Sequence, residues 1–193
     1  MIKLEGPPCV ITILASCGVA VGLALQGSLS NFAGGLMILF FKPFKVGDYI
    51  EASGESGTVA EISVVYTVLL TPDNKRITIP NGALTNSVIE NYSSEPTRRV
   101  DFTFTADYNN DIEKVKAVID EVINAHPAAL KDPAPFVRLS AHSENALTYT
   151  ARVWVKSADY WTVFFDVTEN VKLAFDKNNI KIPYPQLDVH LDK

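Results

Sequence analysis

Three histidines, His126, His142 and His190, are the side chains best suited by type to acid–base or metal chemistry, and their spacing supports neither. None has a cysteine partner or a second histidine at a ligand interval, so each reads as a surface or structural residue. The acids Asp107, Asp111, Glu113 and Asp120 gather where a helix should begin and along its face, where carboxylates complement the helix dipole. They do not form a paired-carboxylate site. Arg98-Arg99 could bind an anion, or equally serve as a solvated or inter-subunit ion pair. There is no P-loop, and no GxGxxG follows a strand. Cys9 and Cys17 lie in an apolar stretch without a CxxC, which fits two small apolar residues in a helix better than a disulfide or zinc site. The residue types therefore point away from an enzyme and indicate no metal and no cofactor.

What remains is a chemistry of water exclusion. Apolar residues make up 47% of the 193 residues and charged residues 20%, which is ordinary for one large or two small globular domains. The average hides an asymmetry. From Cys9 to Phe41 there is no charge, and the only polar interruptions are Thr12, Ser16, Gln26, Ser28, Ser30 and Asn31. Cys9 to Leu25 alone gives about seventeen such residues, the lower limit for a membrane span. A signal peptide fits poorly, because MIKLEGPP carries one lysine and a glutamate and because apolar character resumes at Phe32. A buried core helix is the other alternative. The formal net charge of −5 argues against a broad nucleic-acid surface.

At 100° per residue, Thr12, Val19, Leu23 and Gln26 fall on one narrow helix face. Ala15, Gly18 and Gly22 flank it on one side, and Ser16, Ala20, Ala24 and Gly27 on the other. Small residues on both flanks let neighbouring helix backbones approach closely. Two unlike flanks fit a ring built by head-to-tail contacts, with the narrow face toward the axis. The alternative is that Gly and Ala pack within one chain. In a ring, Val19 and Leu23 would stack as two apolar girdles that exclude water and so ions, with Gln26 at the wet end. Gly27 weakens the helix by roughly 1 kcal/mol relative to Ala. Leu29, Phe32, Leu36 and Phe40 then continue on one face, so the pattern predicts a kinked pair of helices over 9–41, the second near the membrane interface. Pro43 ends the helix, and Lys42 and Lys45 suggest the cytoplasmic side.

The run GLALQGSLSNFAGGLMILFFKPFKVGDYIE resembles the pore helix and linker of the small-conductance mechanosensitive ion channel family. ITIPNGALTNSVIENYSSEPTRRVDF resembles the end of that family's β domain and its passage into the α/β domain, and IPYPQLDVHL resembles its C-terminal strand. The similarity runs from about Ala15 to the end. It implies a homoheptamer in a lipid bilayer, passing ions and small solutes under membrane tension, as in release after osmotic downshock. The location implied is the inner membrane, with the later domains forming a cytoplasmic vestibule. By position, Val19 and Leu23 match the two constriction residues, with Val where Leu is more usual. Gln26 and Gly27 match the kink, and Gly35 a second flexible glycine. Asn31 matches a residue that touches the β domain near Asn81 and Gly82, a contact linked to inactivation. Members of the family carry two earlier membrane helices that Met1 to Pro8 cannot supply. A truncated, non-conducting assembly or binding module with the same vestibule fold is therefore the alternative function.

The rest of the chain fits this architecture on its own pattern. Val46–Ile50, Thr58–Ile62, Val65–Leu70 and Arg76–Ile79 read as short strands, parted by turn clusters at SGESG and Pro72-Asp73-Asn74 and closed by Pro80-Asn81-Gly82. They predict a small SH3-like or Sm-like β domain over 43–94. It lacks the interleaved aromatic and basic residues of a nucleic-acid barrel. Glu95-Pro96 marks a boundary. Val100, Phe102 and Phe104 alternate as a strand. Asn109-Asn110-Asp111 starts a helix with its stripe at Ile112, Val115, Ile119 and Val122. Strands over Phe136–Ala141 and Leu147–Val155 and a helix over Trp161–Asn178 complete a β-α-β-β-α order, so 96–182 reads as a ferredoxin-like α/β domain. Residues 183–193 read as one strand of an oligomeric β-barrel. Asn91-Tyr92-Ser93 fits a glycosylation triplet, which a cytoplasmic domain would not use.

Overall fold

The computed structural model describes residues 8–187, and the chain divides into two compact units between Ser94 and Glu95. In the first unit a long helix α1 (Pro8–Phe41) precedes β1 (Tyr49–Ala52), β2 (Glu55–Ile62), β3 (Tyr66–Leu70), β4 (Arg76–Pro80), a short helix α2 (Asn81–Thr85) and β5 (Ile89–Asn91). From the sequence, a break is expected at Gly27; the helix instead runs through it without interruption. Glycine lowers helix propensity but keeps its N–H, so nothing forces the hydrogen-bond ladder open there. The helix stops at Lys42, whose positive φ of 49° and N–H bond to the Ile38 carbonyl at 2.8 Å make a left-handed cap ahead of Pro43.

The five strands form one antiparallel sheet in the order β4-β3-β2-β1-β5. The β1–β2 hairpin turns on Ser53 and Gly54 alone, both at positive φ, between the paired Ala52 and Glu55. That is the backbone a two-residue hairpin favours, and it leaves the rest of SGESG in the strand. A bulge between Val59 and Glu61 bends β2. Pro80 ends edge strand β4, where a missing N–H is tolerated. The turn expected at Pro80-Asn81-Gly82 continues into α2. Ile38, Phe44, Ile50, Ala52, Val59, Leu69, Ile79 and Leu84 make this unit's core.

The second unit follows the expected order: β6 (Thr97–Ala106), α3 (Ile112–Ala125), β7 (Phe136–His142), β8 (Leu147–Lys156) and α4 (Tyr160–Lys177). Its three strands lie β6-β8-β7, all antiparallel. Asp111 caps α3, its carboxylate accepting the Lys114 N–H at 2.9 Å. Both helices pack on one sheet face. Val115, Val118, Ile119 and Ile123 come from α3, and Val163, Val167, Val171 and Phe175 from α4. The stripe expected on α3 is rotated slightly: Ile112 is exposed and Val122 half-buried, while Val118 and Ile123 are buried. After α4 the chain is irregular through residue 187. The remainder of the expected 183–193 strand lies outside the described residues.

Candidate pore helix and its seat on the β domain

Helix α1 has two parts that differ in surroundings. Residues 11–30 are exposed throughout, whereas Gly34, Gly35 and Ile38 are buried against the β domain. Thr12, Val19, Leu23 and Gln26 all lie on the exposed part, with Val19 63% and Leu23 66% accessible. Ala15, Ala20 and Ala24 are exposed as well. A Cβ built on Gly18, Gly22 or Gly27 meets nothing within 4 Å. Packing among the described residues thus does not require these small residues. The Ser16 hydroxyl donates back to the Thr12 carbonyl at 2.8 Å, satisfying itself inside an apolar helix.

The seat is built around Asn81, which is fully buried. Its Oδ1 accepts the Thr67 hydroxyl at 2.8 Å, and its Nδ2 donates to the Ser63 carbonyl at 2.9 Å. Its backbone N–H donates to the Val65 carbonyl at 3.0 Å. A buried amide with all these groups paired fixes the loop between β2 and β3 under α1. The neighbouring Gly82 N–H donates to Asn31 Oδ1 at 3.0 Å. Asn31, Gly35, Asn81 and Gly82 therefore meet in one place, while Val19 and Leu23 stay largely exposed among the described residues. Gly34, Ser63, Val64 and Thr67 complete the seat. Of these, only Gly34 carried a signal in the sequence, as half of a glycine pair inside an apolar helix.

The reactive side chains elsewhere make structural contacts. The Ala128 N–H donates to His126 Nδ1 at 3.2 Å, which turns the Nε2–H toward Asp166, also 3.2 Å away. The pair staples the end of α3 to α4. His142 lies beside the Tyr108 ring, and His190 lies outside the described residues. Arg98 stacks over Tyr160 at 3.9 Å, and Arg99 forks onto Asp101. Asp107 accepts the Asn109 N–H at a turn, and Glu113 pairs with Lys116 on the helix surface. Among the described residues no group of three His, Cys, Asp or Glu could hold a metal ion.

Residues 27–94 match the family model for the mechanosensitive ion channel β domain, and residues 100–182 match that for the C-terminal part of the mechanosensitive channel MscS. A crystal structure of Helicobacter pylori MscS in its closed state superposes with a TM-score of 0.92 at 33% identity, covering 99% of this chain and 76% of that one. The chain belongs to the small-conductance mechanosensitive channel family. A small-conductance mechanosensitive channel of Edwardsiella ictaluri is 46% identical over 176 residues, covering 91% of this chain and 62% of the relative. Arabidopsis thaliana MSL1 shares the fold with a TM-score of 0.79 at 22% identity, over 91% of this chain and 66% of that one. The chain spans about three fifths of the length of the first curated MscS-family relatives it matches.

Proposed function

We propose that this chain is the pore-lining and vestibule-forming part of a mechanosensitive ion channel subunit, opened by membrane tension and closed by the apolar girdles at Val19 and Leu23. The observation that carries this reading is the exposed stretch 11–30 of α1. It holds large apolar and small residues, and nothing among the described residues covers it. At 1.5 Å per residue it is about 30 Å long, the thickness of a bilayer's hydrocarbon core. Small residues on two flanks suit close contact with identical helices on either side, and family membership supports a homo-oligomer of seven. Lys42 and Lys45 after the span support an inner-membrane location with the β domain and the second unit in the cytoplasm. Ions and small solutes would leave through the widened constriction after osmotic downshock. Thr12 and Gln26 would line the wetter ends of the same face.

Patch recording under suction on the complete native gene product tests the proposal. Tension-activated current is expected, and its absence would sink the channel reading. Leu23→Ser should lower the suction needed for opening. Each subunit would lose roughly 2 kcal/mol of apolar burial and gain a hydroxyl that holds water in the constriction. An unchanged threshold would remove Leu23 from the gate.

A further inference from the structure

We propose that Gly34 and Gly35 form a lock that holds the second half of α1 on the β domain, and that Gly35 is not a point of helix flexibility. A Cβ at Gly35 would lie 1.8 Å from the Val64 carbonyl oxygen, 2.6 Å from Asn81 Nδ2 and 2.7 Å from the Val64 carbonyl carbon. One at Gly34 would lie 2.8 Å from both the Asn81 carbonyl carbon and oxygen and 3.0 Å from the Gly82 nitrogen. The two glycines thus let the helix backbone rest directly on the backbone of the opposing loop. Any larger residue at 35 would push the helix back by more than about 1 Å, well beyond what packed atoms absorb.

The opposing surface is braced and cannot give way instead. The loop that carries Val64 is closed by the Ser63 N–H to the Tyr66 carbonyl at 2.8 Å, and it is pinned to Asn81 by the Val65 and Ser63 carbonyls. Asn81 is in turn held by Thr67. Ile38, one turn beyond Gly34 and Gly35, is buried on the same side and joins the β-domain core. On the other side of the glycine pair, Asn31 caps the contact through Gly82. The stretch from Asn31 to Ile38 is therefore held at both ends and the middle. Gly27 differs in kind, since nothing lies within 4 Å of its missing Cβ. The lock makes the second half of α1 and the β domain one body and confines bending of the helix to the segment before Asn31. Its bearing on gating rests on the channel reading above; its existence does not.

Hydrogen–deuterium exchange on the full chain in detergent or bilayer decides between lock and hinge. Gly35→Ala should speed exchange at residues 63–67 and 80–85 by roughly tenfold or more, because those amides lose their cover. Exchange in the α4 core at 163–175 should stay unchanged and report an intact fold. Gly27→Ala should leave 63–67 and 80–85 unaltered. A hinge role predicts the opposite for Gly35→Ala, namely slower exchange along α1 near position 35, because Ala is the better helix former. That result, or unaltered exchange at 63–67 and 80–85, overturns the proposal. Should Gly35→Ala fail to fold, Gly34→Ala needs only a smaller displacement and should give a smaller rise at the same residues; no rise there overturns it equally. Loss of the channel reading in patch recording leaves this exchange result standing by itself.

Discussion

Tyr149 sits with its whole side chain in the sheet–helix core of the second unit, and its hydroxyl has no hydrogen-bond partner among the described residues. Burial, and after it the charge of Asp111, pushes this phenol above its ordinary pKa, in keeping with a neutral group held in apolar surroundings. An unpaired buried hydroxyl costs on the order of 1 kcal/mol or more, whereas the ring contributes its full burial. Tyr149→Phe should therefore leave the melting temperature unchanged or raise it by a few degrees, as read by circular dichroism. A loss of more than about 1 kcal/mol would mean that the hydroxyl has a partner in solution. The burial itself was legible, because Leu147, Tyr149, Ala151, Val153 and Val155 alternate cleanly and all are buried. The orphaned hydroxyl was not. It depends on which helix side chains lie across from position 149, and no strand pattern contains that. Asn81 shows the same limit, since its partners Ser63 and Thr67 come from another part of the unit.

Pairing of elements creates relationships that no single strand carries. Strand β5 spans only Ile89–Asn91, too short for a period to show, and was not expected from the sequence. It pairs with β1 rather than with the preceding strand, and this register sets Glu51 beside Glu90. Two like charges directly opposite each other are destabilising. The Tyr92 hydroxyl relieves them, lying 3.1 Å from Glu51 Oε2 and 3.0 Å from Glu90 Oε2. The Glu90 hydrogen bond, then burial, then the Glu51 bond and the two charges push the Tyr92 phenol up to about 12. The folded value is raised above the unfolded one, so between about 10 and 12 the folded state binds more protons. The stabilisation is fully present below about pH 10 and is lost as pH rises through about 12. Glu90→Gln should bring the phenol's ultraviolet titration back toward its ordinary range and shrink the alkaline loss of stability. A titration identical to the wild type would exclude the bridge. Strands β2 to β4 were visible because their alternation and turn residues are local. β5, and the growth of the expected Pro80-Asn81-Gly82 turn into α2, follow from closure of the sheet and the seat beneath α1.

At the scale of the molecule, the exposed part of α1 cannot face water alone. Ile11, Leu14, Val19, Leu23, Leu25 and Leu29 are each 56–67% accessible. Full burial of such a side chain is worth about 1.5–3 kcal/mol, so these six together forgo on the order of 10 kcal/mol. That is comparable to the entire stability of an ordinary domain. A helix with this surface must find apolar cover beyond the described residues, of the kind that lipid or packed helices supply. Uniform exposure on all sides fits the proposed ring, in which lipid would lie against the back, neighbours on the small-residue flanks, and the Val19–Leu23 face on the axis. The chain is accordingly expected in the membrane fraction, resistant to alkaline wash and released by detergent. In detergent it should cross-link into a ladder whose final rung holds seven copies. A bulky residue at Gly18 or Gly22 should shorten that ladder, because it blocks close approach between helices at positions where an added Cβ meets nothing within 4 Å among the described residues. A monomer soluble without detergent would rule out the assembly. A full ladder with Gly22→Leu would show that the flanks do not carry the contacts between subunits.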